Sequence, residues 1–430
     1  MTTALPPNQI SATDASAAIA AGKLTSEALV AACLERIHAR EDAVQAWAHV
    51  DPERALAQAR SRDREKPRSR LHGIPVGVKD VIDTGDMPTE YGSPIYRDHR
   101  PVCDAACVAQ VRELGGVILG KTVSTEFATR HPNRTRHPLD PARTPGGSSS
   151  GSAAAVADCM VPIAFGTQTS SSIIRPAAFC GVIGYKPSFG LINRAGLKFL
   201  SESLDTIGTL TRTVADAALI AEELAGLTPT PFDEVPRRKP RIGLCRTPHW
   251  KQADAATQAN LEDAARKLAL AGARVIDVDL EEEFGTLAEI QIAVSSYEFY
   301  RALTHERTRF PKQISASLTS RIAAGGKVTR AQYETGVMLA KRCRERIDNV
   351  LRDHDALIAP SAPGEAPPLA STGDPIFGLM WTLLQLPCLT LPCGRGPVGL
   401  PLGVQVIGSR GGDTAIFISA EWIARALAQM

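Results

Sequence analysis

One lysine and several serines, spread over three short segments, carry the chemistry that this sequence offers. The segments are Gly77-Val-Lys79-Asp80, Gly146-Gly-Ser148-Ser149-Ser-Gly-Ser152 and Thr167-Gln-Thr169-Ser170-Ser171-Ser172. Small residues let backbone and ligand approach closely. A serine hydroxyl is a weak nucleophile at neutral pH and needs a base. Neither serine-rich segment contains a histidine, which leaves lysine for that task. Burial disfavours the ammonium form, so a buried lysine can be neutral. In this reading Ser172 attacks, Ser148 relays its proton and Lys79 accepts it. Successive N–H groups of Thr169, Ser170, Ser171 and Ser172 would form an oxyanion hole. Taken singly, each segment also reads as a tight turn packing helices on strands.

Two further motifs compete. Gly115-Gly-Val-Ile-Leu-Gly120-Lys121-Thr122 matches the phosphate-loop expression. Its strand-like Val117-Ile118-Leu119 lies where a phosphate cradle needs free amides, which argues against nucleotide binding. Gly147-Ser148-Ser149-Ser150-Gly151 matches the nucleophile elbow, with Ser149 as nucleophile. An elbow follows a strand directly, and Arg143-Thr-Pro-Gly146 cannot be a central strand.

Composition narrows the classes. The 430 residues, 44% hydrophobic, suffice for a large core or two to three domains. Lysine plus arginine (48) nearly balances aspartate plus glutamate (46), and no basic run suits nucleic acid. The richest stretch, residues 60–70, is interleaved with Asp63, Glu65 and Pro67 and reads as a solvated loop. Nine cysteines form no framework, and Cys103 and Cys107 lack a second pair for structural zinc. Free thiols suit a reducing compartment. No charged leader with an apolar stretch opens the chain, and no window of about 18 apolar residues occurs. The expectation is a soluble cytoplasmic protein with no membrane or nucleic-acid partner and no metal or cofactor.

The elements that must position these segments follow from patterning. Ser11 and Asp14 suit the cap of a first helix, and residues 11–60 read as helical, with Ser26 opening a second helix. Strand signals at 74–78 and 117–119 flank helical text at 105–114. A small-residue helix is expected at 153–159 and a buried strand at 161–165. This alternation predicts βαβ units and a mixed or parallel sheet. A linker near 228–240 precedes strands at 241–245 and 274–278, around a helix at 258–271. Helical text then runs to about residue 353. Strands at 356–361 and 388–392 and a helix at 413–428 close the chain. The organisation expected is one domain over 1–430. Within it lie a core at 70–225, a helix-rich region at 228–355 and closing strands with a C-terminal helix at 356–430.

Together the segments resemble the amidase signature enzymes, whose hallmark is a glycine- and serine-rich stretch supporting a Ser–cis-Ser–Lys triad. The likeness covers nearly the whole chain. It includes Leu71-His-Gly-Ile-Pro-Val-Gly-Val-Lys79-Asp, Gly120-Lys-Thr-Val-Ser-Thr-Glu126-Phe and Pro145-Gly-Gly-Ser-Ser-Ser-Gly. It continues through Arg175-Pro-Ala-Ala-Phe-Cys-Gly, Lys186-Pro-Ser, Ser203-Leu-Asp205, Arg212-Thr-Val-Ala-Asp216 and Gly399-Leu-Pro-Leu-Gly-Val-Gln405. The resemblance implies an α/β fold: a mixed, largely parallel twisted sheet covered on both faces by helices. By register it assigns the base to Lys79, the cis-peptide relay to Ser148 and the nucleophile to Ser172, with Ser149 supporting.

Two departures inform. Many relatives carry Gly-Gly where this chain has Ser170-Ser171, and positive φ there would strain each serine. Arg175 stands three residues after Ser172, a spacing that resembles malonamidase-type amidases, where the arginine receives a substrate carboxylate. Arg175 is therefore a candidate substrate-binding residue, or else the partner of a structural carboxylate such as Asp205 or Glu126. The implied activity is metal-independent hydrolysis of a small amide, releasing ammonia or an amine, with a carboxylate-bearing monoamide as one substrate class. The alternatives are an aryl-amide or carbamate hydrolase, a glutaminase subunit of an amidotransferase, and a non-catalytic binding protein on the same fold. A homodimer is one assembly open to the chain, and the sequence does not decide the oligomeric state.

Overall fold

The computed structural model describes residues 5–237 and 239–429. Residues 1–4 of the N-terminal reading and Arg238 of the linker lie outside these. Eleven strands form one sheet: β1 (Trp47–Val50), β2 (Pro75–Lys79), β3 (Val117–Thr122), β4 (Ile163–Gln168), β5 (Ile183–Lys186), β6 (Thr206–Thr211), β7 (Arg241–Leu244), β8 (Arg274–Asp277), β9 (Ala356–Pro360), β10 (Cys388–Arg395) and β11 (Pro401–Ile407). Their order is β1-β3-β2-β4-β6-β5-β10-β11-β9-β7-β8. Parallel pairing is confined to β3-β2-β4 and β9-β7-β8, and the remaining neighbours are antiparallel. The sheet is mixed, with its parallel stretches at the two flanks.

Every residue of β2, β3, β4, β6 and β11 is buried, as strands covered on both faces must be. One apolar cluster packs the early helices against β2, β3 and β4, and a second packs the C-terminal helix Asp413–Ala428 near β9, β10 and β11. The strands after the linker rejoin the first sheet through β10 beside β5.

Local departures have local causes. The stretch read as helical over 11–60 is broken by β1, which pairs antiparallel with β3. Asp51 then caps a helix over Pro52–Asp63, with proline at its first position, so ordered helix enters the segment read as a loop. Ser11 accepts the Asp14 N–H as expected, whereas Thr25, not Ser26, caps the second helix. The helix expected at 153–159 starts earlier, at Ser150. The phosphate-loop match is a strand: β3 runs through it, and Lys121 Nζ donates to Thr89 Oγ1 at 2.7 Å and pairs with Asp80 at 3.8 Å. No strand directly precedes Ser149.

Candidate active site

β2 and β4 are parallel neighbours, paired at Val76–Ile163 and Gly77–Ala164. Lys79 ends one and Gln168 ends the other, so both reach the carboxyl edge of the sheet, where open α/β sheets bind ligands. The segment holding Ser148 crosses this edge and turns into the Ser150–Ala157 helix. That turn needs glycine at 151, because a Cβ there would lie 2.1 Å from the Ala46 carbonyl oxygen.

Lys79 is 0% exposed and has no carboxylate within ion-pair distance among the described residues. Its Nζ lies 2.7 Å from Ser148 Oγ, 2.8 Å from Thr167 Oγ1 and 3.1 Å from Ser149 Oγ. Burial pushes its pKa well below the ordinary lysine value, against the opposing charge of Asp205. The Gly147–Ser148 peptide is cis. Ser149 Oγ also meets the Thr167 backbone, accepting its N–H at 3.3 Å.

Ser172 follows β4 on a short loop. Its carbonyl accepts the Ser149 N–H at 3.3 Å, which ties the loop to the residue beside Ser148. The Ser172 hydroxyl, 7% exposed as a residue, has no hydrogen-bond partner among the described residues. The Ser148 and Ser172 hydroxyls are thus neighbours in the chain path but are not bonded to each other. Catalytic hydrogen bonds of this kind commonly tighten only with substrate in place.

The N–H groups of Thr169, Ser170, Ser171 and Ser172 are likewise unclaimed among the described residues. The loop is instead held from outside, through its carbonyls and side chains. Gln168 Oε1 accepts the Ile173 and Ile174 N–H groups at 2.8 and 3.1 Å, and its Nε2 donates to Thr382 Oγ1 at 3.0 Å. Thr382 Oγ1 donates to the Ser170 carbonyl at 2.8 Å. Gln291 Nε2 donates to the Thr169 carbonyl at 2.7 Å and to Ser170 Oγ at 3.2 Å. Thr169 Oγ1 donates to the buried Asp205 carboxylate. Sequence reasoning placed Thr167 and Gln168 in one of the three segments but gave them no role, and it singled out neither Gln291 nor Thr382. Their one signal is a polar side chain inside an otherwise buried stretch.

Neither Ser170 nor Ser171 has positive φ. The expected strain is absent, because the loop takes a path open to any residue.

Arg175 pairs with neither Asp205 nor Glu126. It donates to the Gly147 carbonyl at 2.6 Å and to the Gly373 carbonyl at 2.9 Å. Asp205 accepts the Leu200 and Ser201 N–H groups, and Glu126 accepts from Ser315. Burial, reinforced by the charge of Arg130 and opposed by Asp374, pushes Arg175 down to about 9. At 2% exposure it grips the peptide unit that leads into Ser148.

The model of the amidase family matches residues 28–417. The chain belongs to this family. The amidase is 34% identical to one of the subunits of the glutamyl-tRNA(Gln) amidotransferase of Chloroflexus aggregans, over 91% of each chain. It superposes on a crystal structure of an amidase with TM-score 0.90 and 30% identity, covering 97% of this chain and 100% of that one. Native peptide amidase from Stenotrophomonas maltophilia gives TM-score 0.86 and 31% identity over 98% of both chains. The protein is therefore an enzyme that hydrolyses amide C–N bonds on the fold of the solved amidases.

Proposed function

We propose that this amidase works through an acyl-enzyme, with Ser172 as nucleophile, Ser148 as relay and Lys79 as base. The observation that carries this is the buried Lys79 amine, 2.7 Å from the Ser148 hydroxyl and free of any carboxylate partner. A neutral amine has two N–H groups and one lone pair, which suits three hydroxyl neighbours. Ser148 O–H donates to the lone pair. As Ser172 Oγ bonds to the amide carbon, its proton passes to Ser148 Oγ and the Ser148 proton passes to Lys79 Nζ. The carbonyl oxygen becomes an oxyanion facing the free N–H groups of residues 169–172. Its collapse breaks the C–N bond, and the protons return by the same route to the leaving nitrogen. Water then hydrolyses the ester on Ser172 through the same relay.

The proposed substrate is a small carboxamide that also bears a free carboxylate, the class that arginines near the site favour. Glutamine belongs to this class, and the name of the amidotransferase relative favours a second reading: a glutaminase subunit that delivers ammonia within a complex of protein partners. The free thiols of all nine cysteines support a cytoplasmic setting. Among the described residues no helix is long and apolar enough to cross a membrane.

The test is ammonia or amine release by the chain alone from dicarboxylic monoamides, glutamine, aryl amides and carbamates. Turnover by the free chain supports the hydrolase. Turnover of glutamine that appears only with added partner subunits supports the second reading. A folded protein whose Ser172 resists a fluorophosphonate would leave the non-catalytic alternative.

A further inference from the structure

In the proposed relay Lys79 becomes a cation as Ser172 attacks, and a buried cation needs a compensating charge. The carboxylate whose charge reaches Lys79 is Asp205, which lies beyond ion-pair distance. The sheet sets this arrangement. Lys79 ends β2, and Thr167 and Gln168 end β4. β6 runs antiparallel beside β4, with Thr206 opposite Gln168 and Ile207 opposite Thr167. Asp205 directly precedes β6, and Thr169 is the first residue past β4, so the two meet at the edge where Lys79 ends.

Asp205 is 4% exposed, and both of its oxygens are taken. Oδ1 accepts the Thr169 hydroxyl, and Oδ2 accepts the Leu200 and Ser201 N–H groups at 2.8 and 3.0 Å. A carboxyl group that only accepts is an anion, since its protonated form carries a donor. Burial raises its pKa, and these three donors oppose the rise. Thr169 is thereby fixed at two points: its hydroxyl by Asp205 and its carbonyl by Gln291.

The other charges that face Asp205 come from three elements. Glu298, on the Leu287–Ala302 helix, accepts the Ser201 hydroxyl and raises Asp205 further. Arg321, on the Ala316–Gly325 helix, feels the Asp205 charge. Arg194, on the loop before it, donates to the Asp205 carbonyl at 2.9 Å. Among the described residues no cation is ion-paired to the Asp205 carboxylate.

We propose that Asp205 is a positioning residue with two tasks: it fixes Thr169, and with it the loop of residues 169–172, and its negative charge stabilises the proton that Lys79 receives. Asp205 stays ionised throughout. One proton moves from Ser172 Oγ to Ser148 Oγ, another from Ser148 Oγ to Lys79 Nζ, and none reaches Asp205. This rests on the reading of Lys79 as base and goes beyond it. Burial alone makes an amine a weak base, because it lowers the affinity for the proton. A carboxylate at a distance restores part of that affinity without the close ion pair that would keep the lysine charged at rest.

The test is the pH profile of kcat/KM for p-nitrophenyl acetate, whose acylation of Ser172 needs the same proton transfer, with Ser172→Ala as the blank. Removing the charge lowers the pKa of Lys79. In Asp205→Asn the rise of kcat/KM with pH therefore moves to lower pH by about half a unit or more, and the plateau falls about tenfold. A merely weakened scaffold lowers the plateau and leaves the midpoint in place, or raises it by letting water reach the amine. Thr169→Val removes the bond and keeps the charge, so its plateau falls about tenfold with the midpoint unmoved. Thr169→Ser keeps the hydroxyl and loses less. This pair carries the test even if Asp205→Asn fails to fold. A midpoint that stays or rises in folded Asp205→Asn, or equal losses in the two Thr169 variants, overturns the proposal and leaves the hydrolase reading intact. Wild-type rates in Ser172→Ala or in Lys79→Met overturn the triad itself, and the charge role with it.

Discussion

Ser171 occupies a notch that exists because residue 378 is glycine: a Cβ at Gly378 would lie 2.5 Å from both Cβ and Oγ of Ser171. The helix opposite, Ile376–Leu383, thus leaves room for the Ser171 side chain. The Ser171 hydroxyl is buried there without a partner. Gly378→Ala should therefore destabilise the protein by about 1–3 kcal/mol, as overpacked cores do, and lower kcat by displacing the oxyanion loop. Ser171→Gly should restore part of both in the double variant, since it removes the two nearest atoms and leaves the Ser170 carbonyl oxygen at 2.8 Å. Denaturation midpoints and kcat across the four-protein cycle check this, and simple additivity would deny the coupling.

Lys79 gives a pH signature with a definite sign. Its folded-state pKa is depressed well below the ordinary lysine value by burial. Between the depressed value and about 10.4 the unfolded chain binds the extra proton, so stability rises with pH across that window. Urea midpoints of wild type should climb more steeply from pH 7 to 10 than those of Lys79→Met. The same variant should lose most activity at neutral pH, and wild-type kcat/KM should rise to a plateau as Lys79 becomes neutral.

Arg175 grips the carbonyl that precedes Ser148. Arg175→Ala should cost about 1–3 kcal/mol for leaving buried carbonyls unpaired. It should lower kcat/KM by the same factor for an acidic monoamide and its neutral diamide. A loss confined to the acidic substrate would instead make Arg175 the carboxylate receptor.

Gln168 braces the 169–172 loop through the two N–H groups that follow it. Gln168→Leu removes the acceptor of the Ile173 and Ile174 N–H groups and the donor to Thr382. The expected result is a fall in kcat of roughly tenfold or more, as for weakened oxyanion geometry, with a smaller change in KM. Gln168→Glu keeps the acceptor and should recover part of the rate. Equal losses in both variants would point to general destabilisation.

Much of this enzyme is visible in one dimension. The apolar runs at β2, β3 and β4 and the small residues around Ser148 and Ser172 announce strands and close turns, because these depend on side-chain period and backbone freedom within a few residues. The lysine and the two serines stand out for the same reason. The scaffold that holds the 169–172 loop does not, since Thr382 lies 214 residues from Gln168 and Gln291 lies 122 from Thr169. Nor does the partner of Arg175: the resemblance to malonamidase-type amidases implies a carboxylate, yet two backbone carbonyls from distant loops reach it first. Local sequence determined which residues could do the chemistry. Only the crossing order of the strands decided which groups meet them, because hydrogen-bond partners far apart in the chain are chosen by where the sheet delivers each segment.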